Sequence, residues 1–284
     1  MKEIKNMIFP EERALYNEND IVIDNCQFKG QIEGESALKE ANNVIIRNSL
    51  FDLRYPLWHV NECKIDNSNM TINCRAPLWY STNIEINKTN IYGVKAIREC
   101  ENINITNCNI ISNEFGWKNR KVIINNSEIE AEYILLDTKE LFIDNINLKG
   151  KYSFQYISNS TIQNSRFDTK DMLWHAKNVI VKNCHIKGEY LGWYSENVTF
   201  INCNIIGTQP LCYAKKLKLI DCTMEDADLA FEYSDVEATI IGKVDSIKNP
   251  ISGRIVVDGC DEIIKENSKY QDQVEIIIKN KECA

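Results

Sequence analysis

The sequence predicts an all-β solenoid, a parallel β-helix of about eleven coils. Three observations carry this: a 19-residue period, an asparagine repeated once per period, and three short apolar segments between bends. Apolar segments restart at Ile21, Val44, Cys63, Ile84, Ile103, Val122, Leu141, Ser160, Val179, Val198 and Leu217. From Ile84 onward every spacing is 19, while the first and third units carry four and two extra residues. The fifth position reads Asn25, Asn48, Asn67, Lys88, Asn107, Asn126, Asn145, Asn164, Asn183, Asn202 and Asp221. Asn tolerates the left-handed backbone of a bend, and its amide donates and accepts between stacked copies, so this column reads as an asparagine ladder.

Each coil then follows in order. Its first strand alternates, with Ile103 and Ile105, or Val179 and Val181, on one face. The sixth position is small, as at Cys26, Ser49, Ser68, Thr89, Cys184, Cys203 and Cys222. Those cysteines read as small buried packing residues rather than redox or metal groups. The eighth is apolar (Phe28, Phe51, Ile110, Phe167, Met224), and the tenth is often Gly, as at Gly188 and Gly207, which suits a second bend. A last strand of about six residues is expected next, closed by Asn83, Asn102, Asn178 or Asn197. Residues 1–20 are expected to cap the N-terminal end, 21–235 to form the regular coils, and 236–284 to form irregular final coils and a cap, with 261–272 as a polar connection of helical character. The whole chain, 1–284, reads as a single domain. A leucine-rich repeat is the alternative, but its leucine-spaced consensus is absent.

Composition narrows the function. A net charge of −8 and a pI of about 5.1 disfavour nucleic acid and anionic membranes as partners. No apolar run is long enough for a signal peptide or a membrane span, and 11 cysteines without an export signal suggest reduced thiols in a cytoplasmic protein. No CxxC pair or CxxH cluster is present, so neither a metal nor another cofactor is expected.

The last strand varies in chemistry while keeping register. Strict alternation would turn Trp58, Trp79, Trp117, Trp174 and Trp193 toward the core. Tyr55-Leu57-His59, Ala76-Leu78-Tyr80, Tyr133-Leu135-Asp137, Tyr152-Phe154-Tyr156, Asp171-Leu173-His175, Tyr190-Gly192-Tyr194 and Gln209-Leu211-Tyr213 would then face outward. The alternative is a bent segment with the leucines inside and the tryptophans out. An apolar row flanked by tyrosine, histidine and carboxylates marks a ligand or partner surface, and a sugar chain suits it. The candidate binding residues are Arg54, Tyr55, His59, Arg75, Tyr80, Arg98, Tyr133, Tyr156, Asp171, Tyr194 and Tyr213. The candidate catalytic residues are Glu99, Lys118, Asp137 and His175. Glu99 and Asp137 would lie two coils, about 9.6 Å, apart, near the upper end for an inverting glycosidase. Lys118 between them would keep both ionised, which favours a structural ion ladder. His59 and His175 fall six coils, about 29 Å, apart and cannot share a metal or proton. Arg54 and Arg75, in successive coils, are suited to a carboxylate.

The repeat, together with the segments Leu53-Arg-Tyr-Pro-Leu-Trp-His59, Ala76-Pro-Leu-Trp-Tyr80, Glu114-Phe-Gly-Trp117, Phe167-Asp-Thr-Lys-Asp-Met-Leu-Trp-His175 and Gly207-Thr-Gln-Pro-Leu-Cys-Tyr213, resembles a bacterial family of unknown function over nearly the whole chain. The resemblance implies a right-handed, pectate-lyase-like β-helix and no assigned reaction. The calcium-binding aspartates of pectate lyases and the aspartate group of polygalacturonases have no counterpart cluster in this sequence. The expectation is therefore a protein that binds or processes a carbohydrate on its last-strand face, as a glycoside hydrolase or polysaccharide lyase if it is an enzyme. The alternative is a scaffold that uses the same face to form a homo-oligomer or dock a partner.

Overall fold

One backbone conformation recurs once per coil and sets the architecture. In the computed structural model, which describes residues 1–30, 35–266 and 273–280, every fifth-position residue lies in the left-handed region. Its φ runs from 47° at Asn67 and Lys88 to 56° at Asn107. A β-strand entering such a residue leaves in a new direction, so each repeat turns a corner at the same place. Successive coils then stack strand on strand, in parallel.

The chain divides into two compact units, Met1–Asn147 and Leu148–Ala284, each a right-handed parallel β-helix. In the first unit the first side of the coils is made by Lys2–Lys5, Asn19–Asp24, Asn42–Arg47, Asn61–Asp66, Thr82–Asn87, Glu101–Thr106 and the start of Arg120–Leu136. Register is exact at the core: Ile21, Val44, Cys63, Ile84, Ile103 and Val122 pair in succession. On the second side Phe9, Phe28 and Phe51 stack at 4.9 Å per step. In the second unit Ser158–Gln163, Lys177–Lys182, Glu196–Ile201 and Leu217–Glu225 continue the same pattern.

The coils outnumber the eleven expected. Residues 1–20 form a coil rather than a distinct cap: Lys2 pairs with Ile21, Ile8 with Gln27, and Asn6 has a φ of 56°. Asp235–Lys248, Ser252–Ile264 and Val274–Ile278 add further parallel strands in the second unit. Irregularity begins earlier than residue 236, at a register shift between Leu219 and Cys222. The expected polar connection is strand as far as Ile264, and its part from 267 to 272 lies outside the described residues.

Polar columns close the corners. Asn25 Nδ2 donates to Asn6 Oδ1 at 2.7 Å, Asn67 to Asn48 at 2.7 Å, Asn145 to Asn126 at 2.8 Å, and Asn202 to Asn183 at 3.0 Å. A second asparagine column stands where each coil closes, with Asn102 donating to Asn83 at 2.7 Å and Asn197 to Asn178 at 2.9 Å. Both columns are exposed. The small sixth position does more than pack, because its hydroxyl accepts the N–H of its counterpart in the preceding coil. Cys26 N donates to Ser49 Oγ at 3.1 Å, and Ser49 N to Ser68 Oγ at 3.1 Å. A buried N–H left without such a partner is costly, which explains why Ser and Thr recur there. The cysteines among the described residues are free thiols, and burial pushes Cys63 and Cys74 up to about 12. At Gly188 and Gly207 a Cβ would meet a carbonyl oxygen of the preceding coil at 1.4 and 2.2 Å, so only glycine fits the second bend there.

Asn183 sits at φ 53°, donates to Asn164 Oδ1 and accepts from Asn202 Nδ2, both at 3.0 Å. Asn183→Ala forfeits both bonds and places alanine in the left-handed region, so about 2 kcal/mol of stability is expected to be lost. Asn183→Gly keeps the backbone unstrained and is expected to lose only about 1 kcal/mol. Urea unfolding of the two variants measures this, and a glycine variant less stable than the alanine one contradicts it.

Candidate functional site

The third side of each coil is a bent segment, with extended pairing limited to short pieces such as Leu78–Trp79 and Ile97–Arg98. Left-handed residues recur along it, as at Tyr55, His59, Asp171, Leu173 and His175, with φ between 51° and 63°. Two consecutive residues therefore point in, two point out, and a small one closes the corner. This corrects the alternating strand expected from sequence. Leu57, Leu78, Leu173 and Leu211 are fully buried, and no apolar leucine row faces solvent. The tryptophans are half-buried at the surface, and the next residue is the outermost: His59, Tyr80, Glu99, Lys118 and Asp137 in the first unit, Tyr156, His175, Tyr194 and Tyr213 in the second.

In the first unit the indoles of Trp58 and Trp79 stack at 5.4 Å and 4°. Trp58 Nε1 donates to Ala76 O at 2.7 Å, and Trp79 Nε1 to Lys95 O at 2.8 Å. Outside them His59 and Tyr80 stack at 5.0 Å and 19°. Tyr55 lies 4.5 Å from the Trp58 ring, with the Arg54 guanidinium 5.7 Å from Tyr55. Arg54 is engaged by Glu35 at 2.8 Å, so its carboxylate partner comes from the chain itself. Arg75 is exposed, and its side chain has no partner among the described residues. The Arg98 guanidinium lies over Trp79 at 4.9 Å and Trp117 at 5.9 Å, a cation between two π faces. Tyr133 comes within 6.4 Å of the Trp117 ring.

Glu99, Lys118 and Asp137 do share one column, since Glu99 N donates to Trp117 O and Lys118 N to Leu136 O, both at 2.9 Å. The ion ladder expected of them does not form. Glu99 pairs instead with Arg98 at 3.1 Å, and Lys118 and Asp137 have no side-chain partner among the described residues. Surface ion pairs between coils are weak, so Lys118 gains little by fixing its side chain against either acid.

In the second unit the outer residues form an unbroken aromatic column. Tyr156 stacks on His175 at 4.8 Å, His175 on Tyr194 at 5.1 Å and Tyr194 on Tyr213 at 4.8 Å, all within 12° of parallel. Tyr233 follows Tyr213 at 5.9 Å. Behind the column Trp174 and Trp193 stack at 5.5 Å and 4°. Their indole N–H groups donate to Tyr190 O and Gln209 O, each at 2.7 Å. Tyr233 was missed in the sequence because its coil holds one more residue before the corner, so it falls 20 rather than 19 residues after Tyr213.

The electrostatics of this face are quiet. Lys170 holds Glu189 at 2.9 Å, and Lys248 holds Glu232 at 3.0 Å. Burial, with Glu232 nearby, raises the Tyr213 phenol and keeps it protonated. Among the described residues no group of His, Cys, Asp or Glu is placed to hold a metal ion. Rings stacked this closely cover one another's faces. What they present outward is their edges: four phenol hydroxyls, none with a hydrogen-bond partner among the described residues, and one imidazole.

Residues 2–278 match a family described as a protein of unknown function, DUF3737. The chain belongs to that family. No curated protein matches its sequence. Among solved structures, the DUF3737 chain is similar to PfbA, a surface adhesin of Streptococcus pneumoniae, at 11% identity and a TM-score of 0.43, over 75% of this chain and 70% of that one. It is also similar to the A-module of the mannuronan C-5 epimerase AlgE6 of Azotobacter vinelandii, at 8% identity and a TM-score of 0.37, over 90% and 88% of the two chains. A periplasmic alginate epimerase, AlgG, matches at 10% identity and a TM-score of 0.26, over 91% and 77%.

Asp171 is buried, and its Oδ1 has no hydrogen-bond partner among the described residues. Burial raises its carboxyl above the usual 3.8, with Lys170 pulling the other way. A carboxyl raised in the folded state binds its proton more tightly there than in the unfolded chain, so stability is lost as pH rises through the folded value. Asp171→Asn is therefore expected to raise the melting temperature at pH 7 and to leave it unchanged near pH 3, where both forms are neutral. A pH series of thermal melts measures this. A loss of stability at pH 7 would show that the carboxylate is instead favourably held.

Proposed function

We propose that the third side of the second unit binds a linear, uncharged sugar chain through ring edges. The observation that carries this is the surface column Tyr156–His175–Tyr194–Tyr213–Tyr233, one polar ring edge per coil, with four hydroxyls unpartnered among the described residues. Such a row suits a ligand that offers hydroxyls at a similar interval along its length. An extended peptide advances about 3.3 Å per residue and would fall out of step with a column rising about 4.8 Å per coil. Nucleic acid is disfavoured by the net charge of −8. Lys170 and Lys248 are committed to Glu189 and Glu232, and Lys151 lies over the Tyr152 ring, which leaves little to attract an anion. Because the ring faces are covered, hydrogen bonding by phenol and imidazole replaces the face-on stacking usual for sugars. Binding is the activity supported, since these groups offer recognition without a paired acid and base.

The test is an array of linear neutral and uronic-acid oligosaccharides. It is probed with the wild type and with a variant carrying Tyr156→Phe, Tyr194→Phe, Tyr213→Phe and Tyr233→Phe, which removes the hydroxyls and keeps the stack. Neutral spots bound by the wild type are expected to lose at least tenfold in affinity, with the melting temperature unchanged. Retained affinity in the variant, or a wild type that binds no neutral spot, overturns the reading. So does a dimer in light scattering that these substitutions dissociate, because the column would then be an interface between copies.

A further inference from the structure

We infer that the first unit carries a sugar site of its own, built on His59 and Tyr80, and that it takes a chain bearing carboxylates. The inference rests on the sugar reading of the aromatic column and extends it to different residues and a different ligand charge.

The two units repeat one local construction. Pro56-Leu57-Trp58-His59 is followed by Pro77-Leu78-Trp79-Tyr80, and Met172-Leu173-Trp174-His175 by Leu191-Gly192-Trp193-Tyr194. The geometry repeats as well. The indole pairs stack at 5.4 and 5.5 Å, both at 4°, and the histidine–tyrosine pairs at 5.0 and 5.1 Å. The first indole of each pair donates to the same place in the next coil, at 2.7 Å in both.

Coil stacking does not demand this. Glu99, Lys118 and Asp137 occupy the outermost position in the next three coils at φ 50°, 54° and 51°, close to the 55° and 57° of His59 and Tyr80. The fold accepts charged, unstacked side chains there. A histidine–tyrosine deck backed by two tryptophans, with Tyr80 still 37% exposed, is thus surplus to what the corner needs. Exposed aromatic area of that kind belongs with recognition.

The surroundings differ in charge. In the second unit the first position of the coil that carries Tyr194 is Glu189, tied to Lys170. In the first unit the equivalent residue of the coil that carries Tyr80 is Arg75, exposed and without a partner among the described residues. Its carbonyl accepts from Tyr55 N at 3.0 Å, and Tyr55 packs against Trp58, so Arg75 borders the deck. The neighbouring Arg54 is already neutralised by Glu35. A guanidinium without an ion-pair partner among the described residues, beside ring edges, suits a carboxylate, which it grips with two parallel N–H donors.

The same array tests this. Arg75→Gln, which breaks no hydrogen bond or ion pair among the described residues, is expected to weaken uronic-acid spots at least tenfold and leave neutral spots unchanged. Tyr80→Phe is expected to weaken the uronic-acid spots as well. The four-fold phenylalanine variant of the second unit is expected to keep them. Uronic-acid binding unaffected by Arg75→Gln overturns the proposal, as does a wild type that binds no uronic-acid spot. Loss of both classes in the second-unit variant also overturns it, because a single site would then serve both. A wild type that binds uronic-acid spots sensitive to Arg75→Gln but no neutral spot refutes only the reading of the second unit.

Discussion

Everything in this molecule depends on a left-handed residue recurring at one fixed place in each coil. Ordinary L-residues resist that conformation by about 1–2 kcal/mol, so a chain that uses it repeatedly must compensate each time. Here it does so with asparagine, whose side chain suits the conformation and bonds to its counterpart in the adjacent coil. Lys88 shows that the position will take another residue where the coils on either side hold the register, and Asp221 that it does so even beside a register shift. With the corner fixed, the inward residues of successive strands superimpose, and Phe28 meets Phe51 nearly parallel.

The third side follows from the same constraint applied more often. Left-handed residues at short intervals prevent a continuous strand and replace strict alternation with an in-in-out-out order. Leu173 enters the core while Trp174 and His175 leave it. Because identical positions stack, any aromatic placed in the outer pair meets another one coil away, and a column of rings results. The column stabilises itself through its faces and leaves its edges to solvent. Packing and recognition thus use different parts of the same side chains.

Much of the fold was legible because stacking converts structural need into repetition. The Asn column, the apolar eighth position and the glycine bend each follow from a contact between equivalent residues, and each is visible as a period. The residues of the candidate site were also visible, from Tyr55 and His59 to Tyr213. The sequence leaves their orientation open between an alternating strand and a bent segment, and the bend is what forms. Pro56-Leu57, Pro77-Leu78 and Met172-Leu173 are adjacent apolar pairs, which a bend buries together and a strand would split. That doublet was the available signal, and the strand pattern on the other sides obscured it. The terminal coils escaped notice for a related reason. Among the described residues, 1–20 pair with one neighbouring coil, so fewer of their positions are constrained, although Asn6 still occupies the left-handed corner. The missing ion ladder reflects energetics that spacing cannot show, because an exposed Lys118 gains little from fixing its side chain between Asp137 and a Glu99 already paired with Arg98.

The central claim is that the third side turns its aromatic edges outward and buries its leucines, and that a sugar chain covers those edges. Hydroxyl-radical footprinting, with and without a neutral oligosaccharide bound on the array, tests both parts at once. The account predicts rapid modification of Tyr156, Tyr194, Tyr213 and Tyr233 in the free protein, protection of all four by the oligosaccharide, and silence at Leu57, Leu78, Leu173 and Leu211 throughout. Modified leucines beside silent tyrosines, or protection confined to another side of the coils, would contradict it.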